Sequence, residues 1–363
     1  MSLIIFILIL ALLILAHEFG HFSVAKMFGI RVDEFGIGFP PRLLSITWGE
    51  TTYSINLLFF GGFVKIFGEN AHEAPADPRS FAHKPRLVQA AVIVAGIVFN
   101  ILFAWLALSV GYMVGMPTSS EHLGVGQARD VHTTIVQVLP GSPAQKAGLL
   151  PNDQIKSITT GSAQLPEGAS ATAVQQFIAD HQNESDVITV VRAGEEKTFL
   201  AKPVEGIASD HKAIGIQLDD VGILQLPPHL ALYEGAILTK QMTVAIAQGL
   251  GGFLKQIFTG RANLSTVTGP IGIATLGATA VTNGFIATII LTALISINLA
   301  IINVLPIPGL DGGRLLFIII EAIIRRPLPE KISVYFNIAG FALLILLMLV
   351  VSFHDVARLV HPV

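Results

Sequence analysis

A chain of 363 residues has room for two or three domains, but 52% hydrophobic residues against 13% charged point away from a purely soluble protein. A net charge of -3 with no basic stripe excludes nucleic acid as an expected partner. With no cysteine, disulfides and thiolate ligands are excluded, and any metal must be held by His, Asp or Glu.

The first apolar stretch, residues 2–28, carries no charge before Glu18 and contains His17-Glu18-Phe19-Gly20-His21. On a helix, His17 and His21 fall at i and i+4 on one face, where two imidazoles can share a metal, with Glu18 beside them as a candidate base. A carboxylate at membrane depth costs about 2–3 kcal/mol or more, and a nearby dication offsets that cost by favouring the charged form. No Lys or Arg precedes Lys26 and no small-x-small site closes the run. Residues 1–28 therefore read as a retained first transmembrane helix rather than a cleaved signal peptide.

Residues 29–86 are rich in glycine and in alternating apolar residues, which predicts short strands with glycine turns. Two readings stand side by side: a plain cytoplasmic-side hairpin, or a re-entrant sheet beside the metal whose free edge pairs with an extended peptide. The second makes Tyr53, Ile55, Leu57, Gly61, Gly62 and Phe63 candidate substrate contacts. Residues 70–85, with Pro75, Pro78 and Pro85, read as a polar linker. The second span falls within 87–117, and its Asn100 is expected to contact either substrate or a neighbouring helix.

Residues 118–226 have ordinary soluble composition, with strands expected at 134–138, 187–192, 197–201 and 213–218 around a helix at 171–181. A strand, a short helix ended by Gly148 and a turn at Asn152 look like a PDZ domain in a permuted arrangement. Leu123-Gly124-Val125-Gly126 is its candidate carboxylate-binding loop. Such a domain can grip peptide by strand addition, or it can simply exclude bulky substrates. Residues 227–284 read as a membrane-surface helix, 232–258, and a connector.

The third span, 285–309, closes in Asn303-Val304-Leu305-Pro306-Ile307-Pro308-Gly309-Leu310-Asp311-Gly312. Two prolines at spacing two break a helix, so the chain unwinds at membrane depth and delivers Asp311 near His17 and His21. Glu321 competes as third ligand, but the prolines and glycines around Asp311 free the backbone to aim that carboxylate. Residues 310–331 are expected as a loop and cytoplasmic-side segment, 332–353 as the fourth span and 354–363 as a tail. Arg31, Arg42, Lys65, Arg79, Lys84 and Arg86 in one loop, and Arg314, Arg325, Arg326 and Lys331 in another, place both loops on the cytoplasmic side. Both termini and residues 118–226 are then extracytoplasmic.

Together, these motifs and their order resemble the site-2 protease family, in its bacterial RseP-like branch. The resemblance implies a polytopic α-helical protein of the bacterial cytoplasmic membrane, with four transmembrane helices, a membrane-associated β-rich loop and one extracytoplasmic PDZ-like α+β domain. It implies Zn2+ held by His17, His21 and Asp311, Glu18 as base, and Asn303 as a residue that helps hold substrate. The expected partners are the lipid bilayer and single-span membrane proteins, such as a trimmed anti-sigma factor, with remnant signal peptides as a second substrate class. There are two departures: RseP has two PDZ domains where this chain has room for one, and Gly96-Ile97-Val98-Phe99-Asn100 lacks the proline of the family's second-span motif. Two other classes compete. A zinc transporter needs a continuous polar path that the second and fourth spans do not offer, and a non-catalytic PDZ-bearing scaffold gives Glu18 no role. Zinc is the default for two imidazoles and a carboxylate without redox demand, although iron accepts similar ligands.

Overall fold

The computed structural model describes the chain apart from residues 70–76, 121–124, 162, 193, 208–210, 262–268, 327 and 361–363. Part of the expected linker, Leu123 and Gly124 of the expected carboxylate loop, and the end of the expected tail lie outside the described residues. The chain divides into two compact units, Met1–Gly111 with Gly235–Val363, and Tyr112–Glu234.

The first unit opens with α1 (Ser2–Met27), whose end is closed by Gly29 at φ 63° and an Ile30 N–H that returns to the Ala25 carbonyl at 2.9 Å. Two antiparallel strands follow, β1 (Val32–Trp48) and β2 (Thr51–Ile66). They are longer than the short strands expected, because each bends back along the other. Glu34 to Ile37 pair with Lys65 to Gly62 on one side and with Thr52 to Ile55 on the other, so segments 42–48, 52–56, 34–37 and 62–66 lie four abreast. Gly38, at φ 77°, makes one bend, and the Asn56 amide ties it down by donating to the Ile37 and Gly38 carbonyls at 3.3 and 3.1 Å. A short 3-10 turn (Phe81–His83) leads into α2 (Arg86–Val114).

The second unit runs through β3 (Met116–Ser119), β4 (Arg129–Val138), α3 (Pro143–Ala147), β5 (Gln154–Thr160), β6 (Ala163–Leu165), α4 (Ala171–Asp180), β7 (Asp186–Arg192), β8 (Glu195–Ala201) and β9 (Ile216–Leu224). Its antiparallel sheet has the order β3-β9-β4-β5-β7-β8, with β6 on β5. The last strand starts later and runs further than the expected 213–218, with Ala213 making only an isolated bridge to Val204. Ser142 and Ser170 cap α3 and α4, and Gly148, at φ 93°, ends α3. Ile135, Ile158, Ile188 and Val190 from the strands pack with Val174 and Ile178 from α4 to form the core.

The chain returns to the first unit through α5 (Pro228–Phe258), which crosses α2 where Gly235 leaves room: a Cβ there would lie 3.1 Å from Ser109 Cα. Next is α6 (Pro270–Thr282), a helix inside the stretch expected as a connector up to residue 284. Pro270 sits in its first turn, where a missing N–H is tolerated, and Gly277 makes space for the Phe6 ring of α1. Then come α7 (Phe285–Val304), α8 (Asp311–Ile324) and α9 (Glu330–Val360). The LDG loop and cytoplasmic-side segment expected at 310–331 thus contain α8, and most of the stretch expected as a tail continues α9. Among the described residues, α1, α2 and α7 are long and apolar enough to cross a membrane. A buried cluster of Ile30, Val32, Ile66, Val92, Ile93 and Ile318 ties the sheet, α2 and α8 to the end of α1.

Candidate metal centre

On α1, His17 and His21 lie one turn apart, both buried, with ring centroids 4.8 Å apart and planes at 88°. Their Nε2 atoms are 3.2 Å apart. From a distance of 290 residues in sequence, Asp311 brings Oδ2 to 3.1 Å from His17 Nε2 and 3.3 Å from His21 Nε2. This placement follows from local chemistry. The chain leaves α7 at Leu305, passes Pro306 and Pro308, and starts α8 at Asp311, whose negative charge suits a helix N-terminus. Gly312 and Gly313 allow the new helix to lie against the carbonyls of Val304, Leu305 and Ile307, where any Cβ would collide.

Three lone-pair atoms at 3.1–3.3 Å from one another fit the donor set of a cation. Ligands about 2.0–2.1 Å from a tetrahedral centre sit about 3.3 Å apart, and Asp311 Oδ2 is buried without a hydrogen-bond donor. The three groups are the one such cluster found among the described residues. Glu321, the competing ligand, is occupied elsewhere: Arg86 Nη1 lies 2.8 Å from its Oε2, and its Oε1 accepts the Leu328 N–H at 3.0 Å.

Glu18 lines the same pocket as the three groups, together with Val64 and Ile66 of β2 and the Arg314–Glu69 ion pair. A Cβ on Gly62 would lie 3.6 Å from Glu18 Cγ, so the second half of β2 runs along this pocket. Phe63 pairs with Gly36 and its ring stacks on Phe39 at 6.5 Å, and Gly61 leaves space for that same Phe39 ring. Tyr53 and Ile55 differ from the expectation. Both have partner segments on either side and so offer no free edge, and the Tyr53 ring packs on Phe22 and Phe35. Leu57 is half exposed. Asn303 is buried in the last turn of α7.

Behind the imidazoles lies α2, whose Asn100 is expected from the sequence at substrate or a neighbouring helix and not at the metal ligands. His21 Nδ1 lies 2.8 Å from the Val92 carbonyl, and His17 Nδ1 lies 3.1 Å from the Asn100 amide. Between them, Gly96 makes room for both rings: a Cβ there would sit 2.6 Å from His21 Cε1 and 2.7 Å from His17 Cε1. Positions 92, 96 and 100 recur every four residues, the same spacing as 17 and 21. That match, beside the second-span motif that Gly96 and Asn100 bound, is a signal that could have found them.

Two imidazoles, a carboxylate and an adjacent acidic residue in a pocket define a single-metal hydrolase site. The model of peptidase family M50 matches residues 5–347, and the chain belongs to this family. It is 34% identical over 362 residues to a Nostoc protein named as a candidate zinc metalloprotease, covering 95% of this chain and 93% of that one. A Clostridium acetobutylicum protein named in the same way is 32% identical over 362 residues, with 100% and 98% covered. The zinc metalloprotease RasP of Oceanobacillus iheyensis is 28% identical over 438 residues, with 98% of each chain covered. The chain is thus a membrane-embedded zinc metalloprotease of the site-2 type.

Proposed function

We propose that this protein hydrolyses peptide bonds within the transmembrane segments of single-span membrane proteins, with His17, His21 and Asp311 holding the zinc. The observation that carries this reading is the convergence of three lone-pair atoms within 4.8 Å, supplied by a helix with the composition of a membrane span and by the segment that closes another. Bound there, zinc supplies a Lewis acid that polarises the scissile carbonyl and acidifies water. Glu18 takes the proton of the attacking water and passes it to the leaving amine. Asn303, buried on α7, helps hold the substrate.

A substrate helix hides its carbonyls in i to i-4 bonds and must unwind before attack. Pairing with the outer edge of β2 replaces those bonds, and the four-abreast register supports segment 61–66 for this role rather than Tyr53 and Ile55. We read α9 as the fourth span and Tyr112–Glu234 as an extracytoplasmic PDZ-like domain that admits trimmed substrates, such as a shortened anti-sigma factor. The metal end of α1 then lies toward the cytoplasm, where the basic loops gather.

Cleavage of a tagged single-span model substrate, shortened outside the membrane, tests this with detergent-solubilised wild type and Glu18→Gln. Wild type cuts, Glu18→Gln does not, and each holds about one zinc per chain. Cleavage by Glu18→Gln, or clean wild type without zinc, overturns the assignment.

A further inference from the structure

A histidine that binds metal through Nε2 carries its remaining proton on Nδ1 and has to donate it, so the group facing Nδ1 must be an acceptor. For His21 the backbone guarantees this, because the Val92 carbonyl at 2.8 Å can only accept. For His17 the facing group is the Asn100 side chain, fully buried, with one amide atom 3.1 Å from Nδ1. The two ends of that amide are isosteric, and hydrogen-bond chemistry decides between them. With Nδ2 toward the ring, Nδ1 has to accept, the His17 proton moves to Nε2 and points at His21 and Asp311, and Asn100 Oδ1 is left buried without a partner. Turning the amide over places Oδ1 against Nδ1–H and frees the Nε2 lone pair, and the amide nitrogen then takes the position that Oδ1 holds.

We propose that Asn100 is a positioning residue that holds His17 in its Nδ1–H tautomer, so that α2 sets both metal-binding imidazoles, one through a main-chain carbonyl and one through a side chain. This rests on the assignment of His17 and His21 as zinc ligands. A packing role is the alternative, and the structure separates the two. The Asn100 main-chain carbonyl accepts from Ser296 Oγ of α7 at 2.8 Å, so the helix contact and the imidazole contact use different atoms of one residue.

The experiment measures zinc affinity by chelator competition on the purified full-length protein in detergent, for wild type, Asn100→Leu, Asn100→Asp and Ser296→Ala. Leu keeps the branching and number of heavy atoms, with somewhat more bulk, and removes the acceptor; loss of such an outer partner weakens metal binding about 10–100-fold. Asp restores an acceptor and stays within about threefold of wild type, within the scatter expected of a retained hydrogen bond. Ser296→Ala, which loosens only the helix contact, also stays within about threefold. Should the Leu variant fail to fold, Asn100→Ala takes its place with the same expected loss. Unchanged affinity in the Leu or Ala variant overturns the proposal, as does equal loss in Asp and Leu, or a loss in Ser296→Ala as large as that in Leu. A wild type that binds no zinc fails the underlying ligand assignment instead.

Discussion

Asp153 in the second unit is 1% exposed, and its carboxylate takes Arg192 Nε at 2.6 Å, Arg192 Nη2 at 2.7 Å and the Leu150 N–H at 2.9 Å. Asp311 in the first unit is partly exposed, yet its Oδ2 is buried and faces two imidazole nitrogens and no amide, guanidinium or hydroxyl donor among the described residues. Asp220 follows the first pattern, accepting from Thr133 Oγ1 at 2.6 Å and the Ala171 N–H at 2.8 Å. A buried carboxylate that is satisfied by its own unit is part of the fold, and one left facing other lone pairs is part of a site.

The sharpest way to break this comparison is to remove Asp311. Asp311→Asn takes away the charge that pairs with the cation, so both zinc content and cleavage are lost while the purified protein remains folded. Zinc measured by atomic emission and helicity by circular dichroism check this together. Retention of one zinc per chain in that variant returns Asp311 to an ordinary helix N-terminus.

Gly96→Ala comes next. Alanine raises helix propensity by about 0.5–1 kcal/mol over glycine, so α2 itself has nothing to lose. The added Cβ instead meets His17 Cε1 at 2.7 Å and the His21 ring, which are pinned by Asn100 and Val92. Zinc affinity is expected to fall at least tenfold, as for other disturbances of the groups that orient metal-bound histidines. Chelator competition reads it, and an unchanged affinity means the rings are not held from behind.

The chemistry at the front of this site was legible in the sequence, and the support behind it was not. His17, Glu18 and His21 announce themselves by spacing, and Asp311 by the two prolines and three glycines around it, because those residue types are costly or disruptive in an apolar helix and need a reason. The Val92 carbonyl has no sequence signature, since every residue has one. Gly96 and Asn100 stand out as the ends of a second-span motif, but that motif points Asn100 to substrate or a neighbouring helix and not to an imidazole. The strands of the first unit were legible as alternation, but their folding into four segments was not, because pairing partners lie far apart in the chain and only register decides which edge is free. The helix α6 escaped because its Gly-Pro start and small residues read equally well as a connector.

Phe63→Pro probes that free edge. Proline cannot donate a main-chain hydrogen bond, and one lost bond is worth about 1 kcal/mol, or roughly fivefold in rate. Cleavage of the single-span model substrate is expected to slow by about that factor, with zinc content unchanged. Equal cleavage removes segment 61–66 from substrate binding and leaves the sheet as a wall of the pocket.

In the second unit, the expected cost is in stability alone. Arg192→Met leaves the Asp153 carboxylate buried without its guanidinium, a loss of about 3 kcal/mol for a broken buried pair. It shows as faster hydrogen exchange across β5 and β7, while zinc bound per folded chain is unchanged. Loss of zinc in this variant would mean that the carboxylates of the two units are not independent.

Asp186 sharpens the comparison by the smallest margin, because it lies between the two patterns. One of its oxygens accepts from Thr160 Oγ1, and the other is buried without a donor. Burial pushes its carboxyl above the ordinary carboxylate range, with the Thr160 bond pulling partly back. The folded state therefore holds a proton that the unfolded state has already released, and stability falls as pH rises from about 4, the unfolded value, through the raised folded one. Asp186→Asn cannot ionise and keeps an oxygen for Thr160, so it flattens that slope. Amide exchange of β5 and β7 in the full-length protein, corrected for the intrinsic pH dependence of exchange, shows protection weakening with pH in the wild type and holding level in the variant. An identical slope in both assigns it to other carboxylates. A slope confined to the wild type shows that a single unsatisfied oxygen makes Asp186 pH-sensitive without making it a site, because among the described residues the one converging set of three metal-ligating groups is His17, His21 and Asp311.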